Sequence, residues 1–177
     1  MDGTLLAQGV LITIQRVCLN MILSRTSQYA IQVMIYLATR PRGEPVLNRN
    51  IARHLNVPAA YLVKVLQLLA KGKLVHSSRG RRGGYCLCDG MEKIDLMQIL
   101  LLTEKEEFSR ECVLGLKTCG DDTACPMHCE WKLIKQEITH LLYKQTLKKL
   151  ARSMQSGKCR LADVPSSQTV RGAFRKP

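Results

Sequence analysis

Cys112, Cys119, Cys125, His128 and Cys129 fall within one stretch of eighteen residues, which holds four of the chain's eight cysteines. Thiolates and an imidazole at this density are either metal-ligand chemistry or the material of disulfide staples. Gly115, Gly120 and Pro126 interrupt the stretch, so most of it reads as a loop rather than a regular helix or a central strand. Where the surroundings keep thiols reduced, as the cytoplasm does, metal is the better reading. The rest of the chain has to position this loop and connect it to a function.

Charge gives the first indication of that function. The chain of 177 residues has a formal net charge of +13 and a pI of about 9.6. From Met21 to Cys88 it holds eleven Lys or Arg and a single carboxylate, Glu44. The acidic residues gather later, at Glu104, Glu106, Glu107, Glu111, Asp121 and Asp122. Such an asymmetry favours a dedicated surface for a polyanion, most simply double-stranded DNA, over a merely soluble basic protein. No segment is long enough to span a bilayer, so no membrane partner is expected and the cytoplasm is the expected location. Residues 1–20 lack the basic start of a secretory signal and read as an N-terminal extension, with Met21 as the expected functional start.

The apolar pattern then places the elements. Ser24 can cap a helix from about Arg25 to Thr39. Tyr29, Ala30, Val33, Met34, Leu37 and Ala38 form one apolar face, and Ile31 and Ile35 open a second, which a partner subunit could cover. Asn48 is expected to cap a short helix to Leu55. Pro58 precedes another, Ala59 to Lys71, with Leu62, Val65, Leu66 and Leu69 inward and Tyr61, Lys64 and Lys71 outward. Two short helices joined by a tight turn, the second basic on its free face, read as a helix-turn-helix or as an ordinary helical hairpin. The next fifteen residues favour the former. Leu74 to Ser78 and Tyr85 to Cys88 read as strands around the turn Arg79-Gly80-Arg81-Arg82-Gly83-Gly84, a hairpin with three arginines at its tip. A guanidinium suits a narrow, negative minor groove, so the hairpin reads as a wing. Cys86 and Cys88, both placed on the returning strand, are expected to point to opposite faces, which would not favour a shared metal. His76 reads as structural.

After a helix capped by Asp95, from about Leu96 to Leu102, comes the cysteine loop. A long helix then runs from about Pro126 to Tyr143. Trp131, Ile134, Ile138, Leu141 and Gln145 step three and four apart along it, and Leu133 and Leu142 widen the seam. A long helix outside a small winged domain reads as a dimerisation arm. Thr146 is expected to cap a last helix through Leu150, and from about Gln155 the Ser-, Pro- and Arg/Lys-rich chain reads as disordered. The fold class is therefore mainly α with a small β-hairpin wing: a winged helix-turn-helix plus a long dimerisation helix. Its expected divisions are 21–103 for the DNA-binding domain, 104–125 for the loop, 126–154 for the dimerisation helix and short terminal helix, and 155–177 for a basic tail.

Three stretches carry a family resemblance: Met21 to Ala30, Pro58 to Leu69, and Arg79 to Tyr85. Together with the cysteine loop and the long helix, they resemble the IscR/NsrR-like (Rrf-two) family of bacterial regulators, over Met21 to about Ala151. The resemblance implies a homodimeric winged-helix transcription factor on a near-palindromic operator, probing DNA with Ser24, Arg25, Ala59, Ala60, Tyr61, Lys64, Arg79, Arg81 and Arg82. It implies a dimer interface on Ile134, Ile138 and Leu141. It also implies an iron–sulfur cluster that senses nitric oxide, redox state or cluster supply. The three family cysteines fall on Cys112, Cys119 and Cys125, and the family histidine on His128. The first spacing is one residue longer than usual, Cys129 is an additional thiol, and Gln28 stands where some relatives offer a carboxylate. Three cysteines with His128 favour [2Fe–2S], and with Cys129 they allow [4Fe–4S]. Zinc and bare redox thiols are the alternatives on chemistry. An enzyme is not expected, because no Ser/His/Asp or paired-carboxylate set, phosphate loop or dinucleotide fingerprint is visible.

Overall fold

The computed structural model describes residues 23–80, 83–104, 112–157 and 159–161. Helix α1, Arg25–Ala38, begins where the Ser24 side chain accepts from Ser27 N. Its Ala30, Val33, Met34, Ile35, Tyr36 and Leu37 are all buried. Helix α2, Asn48–Leu55, ends on Asn56 in the left-handed conformation, and Pro58 precedes α3, Ala59–Lys71. Asn48 does not cap α2 as expected. Leu47 occupies the cap position, and the Asn48 amide instead donates to the Ala59 carbonyl across the turn at 3.4 Å. Ile51 and Leu55 from α2 join Leu62, Val65, Leu66 and Leu69 from α3 beneath α1 to make the main core.

Strands β1, Val75–Ser78, and β2, Gly84–Leu87, pair antiparallel in the register Val75↔Leu87 to Ser78↔Gly84. Val46 adds an antiparallel bridge to Tyr85, with both N–H···O bonds at 2.9 Å. Gly84 permits this approach, since a Cβ there would stand 2.6 Å from the Val46 carbonyl oxygen. Arg79 is exposed at the hairpin turn, and Arg81 and Arg82 lie outside the described residues. Cys86 is buried and Cys88, one residue past the end of β2, is half-buried. The expectation that they face opposite ways does not hold, because residues two apart along a strand share a face.

A 3-10 turn, Met91–Lys93, leads to α4, Leu96–Thr103, capped reciprocally by Asp95 and Gln98. A second 3-10 turn, Asp121–Thr123, lies in the cysteine loop. Helix α5 runs His128–Lys144, starting after Pro126 rather than at it. Helix α6, Leu147–Gln155, is capped by Thr146, as expected, but continues past Leu150. An Asp95↔Thr146 bridge brings the chain back to the domain, and α6 packs on α1. Leu147 is fully buried in the main core, with Leu150, Met154 and Leu161 packed against it. The short terminal helix thus lies against the winged domain. Residues 162–177, expected to be a disordered tail, and the 1–20 extension lie outside the described residues.

The second apolar side of α1 is also satisfied within the chain. Ile31 packs with Leu23, Leu96 and Ile138 around a smaller cluster of Met97, Leu100 and Leu142. Helices α4, α5 and α6 supply this cover, so a partner subunit is not needed for it.

Candidate metal centre and nucleic-acid face

The loop brings three of the predicted ligands together. The sulfurs of Cys112, Cys119 and Cys125 lie within 4.8 Å of one another. Cys112 and Cys125 are 3.7 Å apart, close to the roughly 3.8 Å that two thiolates span on one tetrahedral metal. Gly115, at φ 72°, makes the turn in which its N–H bonds the Cys112 carbonyl. Cys125 is only 9 % exposed.

His128 opens α5 and puts its Nδ1 3.2 Å from the Cys119 sulfur. Its other nitrogen, Nε2, meets Asp121 Oδ1 at 3.1 Å, and Lys132 Nζ holds the same carboxylate at 2.7 and 2.9 Å. A carboxylate behind an imidazole fixes the ring and leaves the opposite nitrogen free to bind metal. Asp121 is thus a supporting residue that sequence spacing does not reveal, because its role depends on the 3-10 turn that swings it onto α5. The Lys132 ammonium, and then His128, hold the Asp121 carboxyl below the usual carboxylate range. Cys129 is exposed and stands outside the cysteine group, one position and about 100° further around α5 than His128. His128 likewise stands outside the group of three mutually close sulfurs, and its ring touches that group through Cys119.

The thiols differ in acidity. Backbone hydrogen bonds from Leu116, then Leu114, with the Cys119 and Cys125 thiols, outweigh burial and bring Cys112 down to about 7. Burial first, then its sulfur neighbours, pushes Cys125 up. An open cavity of about 870 Å³ between the loop and α5 reaches Cys119 and His128, so small solutes have access from solvent.

The predicted DNA-contacting residues differ in exposure. Arg25, Ala59, Ala60, Lys64 and Arg79 are exposed. Arg25 also reaches Gln28 at 3.1 Å, and Ser24 is half-buried with its hydroxyl capping α1. Tyr61, expected to look outward, turns back to α1. Its hydroxyl is 2.8 Å from Thr26 Oγ1 and its ring stands edge-on to Tyr29 at 5.4 Å. A phenol with both an apolar neighbour and a hydroxyl partner gains more there than in water. Arg49 and Arg53, i and i+4 on exposed α2, are further surface cations that the recognition-helix pattern does not single out.

On α5, Ile134 and Leu141 are about half exposed and Leu133 64 % exposed. Ile138 differs from the expectation. It is half-buried against Met97, Leu100 and Leu142 of its own chain.

These features define a winged helix-turn-helix DNA-binding protein with a sulfur-rich loop. A family model described as Rrf2, iron-dependent transcriptional regulator, matches residues 23–153, and the chain belongs to that family. Escherichia coli IscR, an HTH-type transcriptional regulator, is 26 % identical over 151 residues, covering 83 % of this chain and 93 % of its own. Among solved structures, T. potens IscR aligns with a TM-score of 0.62 at 25 % identity, covering 80 % of this chain and 94 % of that one. CymR, the global cysteine regulator of B. subtilis, aligns with a TM-score of 0.59 at 28 % identity, covering 73 % and 95 %. The chain is therefore a DNA-binding transcriptional regulator rather than an enzyme, and among the described residues no helix is long and apolar enough to cross a membrane.

The acidity difference is testable on metal-free protein. Thiolate, the reactive form, accumulates as pH rises through each pKa. Iodoacetamide labelling resolved by mass spectrometry should be half-maximal near pH 7 at Cys112 and only at distinctly alkaline pH at Cys125. Identical pH profiles for the two would contradict the backbone hydrogen-bonding assigned to Cys112.

Proposed function

We propose that this regulator acts as a homodimer, as a repressor on a near-palindromic operator, and that an iron–sulfur cluster held by Cys112, Cys119, Cys125 and His128 gates its grip on DNA. The convergence of three sulfurs with an imidazole already backed by Asp121 carries the reading. The donors fall into two close pairs, Cys112 with Cys125 and Cys119 with His128, which suits the two-per-iron demand of a [2Fe–2S] cluster. When bound, such a cluster supplies cross-links across the loop and lability toward oxidants and nitric oxide. The chain's own part is mechanical. The thiolates tie the loop, Asp121 and Lys132 hold the imidazole, and His128 transfers that constraint to the first turn of α5. Zinc is the second reading, favoured by one observation: three sulfurs within 4.8 Å also fit a single tetrahedral ion.

In the dimer, α3 enters the major groove through Ala59, Ala60 and Lys64, with the wing at the adjacent minor groove. The half-sites lie about 34 Å apart or somewhat more. Tyr61 supports α3 from behind. Ile134, Leu141 and Leu133 supply the apolar surface between protomers.

Two measurements test this reading. Ile134→Lys combined with Leu141→Lys puts charge into the proposed seam without touching the half-buried Ile138. Sedimentation should then show a folded monomer with unchanged helicity, and a persistent dimer would place the interface elsewhere. Cys119→Ala, prepared without oxygen beside the wild type, should lose its visible absorption and change operator affinity by about 5- to 150-fold. Loss of the absorption with unaltered affinity would separate the cluster from the DNA response.

A further inference from the structure

The stem of the cysteine segment is bonded to the first turn of the DNA-binding domain. Glu104, directly after α4, turns its carboxylate onto the N-terminus of α1. Its Oε1 accepts from the Ser24 backbone N–H at 3.0 Å and from the Ser27 hydroxyl at 2.5 Å. Ser27 is fully buried, the only buried polar residue among the described residues, and its hydroxyl also meets Thr103 Oγ1 at 2.6 Å and Ser24 Oγ at 3.1 Å. A carboxylate there satisfies a free N–H of the helix start and complements its partial positive charge.

The same turn of α1 bears on the recognition helix. Thr26, between Ser24 and Ser27, bonds the Tyr61 hydroxyl at 2.8 Å, and Tyr29, nearly one turn further along α1, packs edge-on against the Tyr61 ring. Tyr61 sits in the first turn of α3, beside the exposed Ala59, Ala60 and Lys64. Hydrogen bonds and packed rings therefore run without a break from Glu104 through α1 to α3. In sequence, only positions 105–111 separate Glu104 from Cys112.

We infer that Glu104 is the positioning residue that couples the state of the cysteine segment to the recognition helix, by holding or releasing the Ser24–Ser27 end of α1. The inference rests on the cluster-gated reading and adds the route of the coupling. Glu104 touches neither DNA nor the cysteine group. Its carboxylate holds both Ser24 and Ser27, so a change passed to Glu104 from the cysteine segment would act directly on the start of α1. Loss of that anchor frees the buried Ser27 and shifts Thr26 against Tyr61. Buried polar groups have few alternative partners, so in this inference the end of α1 would be either bonded or released rather than anywhere between.

The experiment compares operator affinity, by fluorescence anisotropy under anaerobic conditions, for cluster-loaded and cluster-free dimers of wild type, Glu104→Gln and Glu104→Ala. Cluster content and sedimentation are measured on each sample. Wild type should show the loaded-to-free affinity ratio of about 5- to 150-fold expected of allosteric coupling. Glu104→Gln keeps an acceptor and should retain most of that ratio. Glu104→Ala should load its cluster and dimerise as wild type does, while its ratio collapses to within about twofold of unity. If wild type itself shows no ratio, the cluster-gated reading fails. If wild type shows it and Glu104→Ala keeps it undiminished, the coupling runs elsewhere and this inference is overturned. Should Glu104→Ala fail to fold, Thr26→Val, which removes only the bond to Tyr61, takes its place: a reduced ratio supports the route and an undiminished one refutes it.

Discussion

The double burial of α1 is the constraint on which the other elements rest. One side of this helix meets α2 and α3, and the other meets α4 and α6, so it has almost no free apolar surface. Each large side chain it buries contributes about 1.5–3 kcal/mol, and among these Val33 and Met34 are fully removed from water. The helix-turn-helix and the return helix α6 are thereby assembled on one rigid rod. A rod packed on both sides moves as a unit. Under the inferred coupling, displacement at its N-terminal end, where Glu104 is bonded, would reach Tyr61.

The cysteine loop is built on the opposite principle. Leu114 and Leu116 are about half exposed, and the loop has no apolar core of its own among the described residues. Its definition comes from the sulfur group, the turn at Gly115 and the Asp121–His128–Lys132 cluster. Helix α5 is similarly under-supported. It is 17 residues long, yet Leu142 is its one buried residue. Helix propagation by itself roughly breaks even in water. One buried leucine adds about 1.5–3 kcal/mol, little to fix so long a helix against the domain. The proposed ligation at its first turn and the proposed apolar partner along Ile134 and Leu141 would supply the support that its own chain gives it chiefly at Leu142.

Much of this is legible in the sequence. Caps at Ser24, Asp95 and Thr146, the Pro58 boundary and the glycine-rich turn are local signals, and local signals survive folding. Cys112, Cys119, Cys125 and His128 are also readable, because their spacing closes a short loop. Most of the residues that sequence reasoning misplaces depend on contacts distant in sequence. Tyr61 looks polar-facing on a helical wheel but finds Thr26 and Tyr29 on α1. Ile138 fits a seam by spacing but is claimed by Met97 and Leu100 of α4. Asp121 reads as one more acidic surface residue until the 3-10 turn sets it behind His128. The bonding role of Glu104 gives no signal in sequence, since the Ser24 N–H and the Ser27 hydroxyl it accepts from lie nearly eighty positions earlier.

Everything proposed for the regulation turns on whether the three converging thiols and His128 hold an iron–sulfur cluster. The most direct measurement is the iron, acid-labile sulfide and zinc content of the full chain purified without oxygen, read together with its visible absorption. A cluster-bearing chain should contain iron and sulfide in equal amounts, show sulfur-to-iron charge-transfer bands, and lose both in Cys112→Ala. Zinc at one ion per chain with no sulfide, or a chain with neither metal nor sulfide after anaerobic reconstitution, would contradict it.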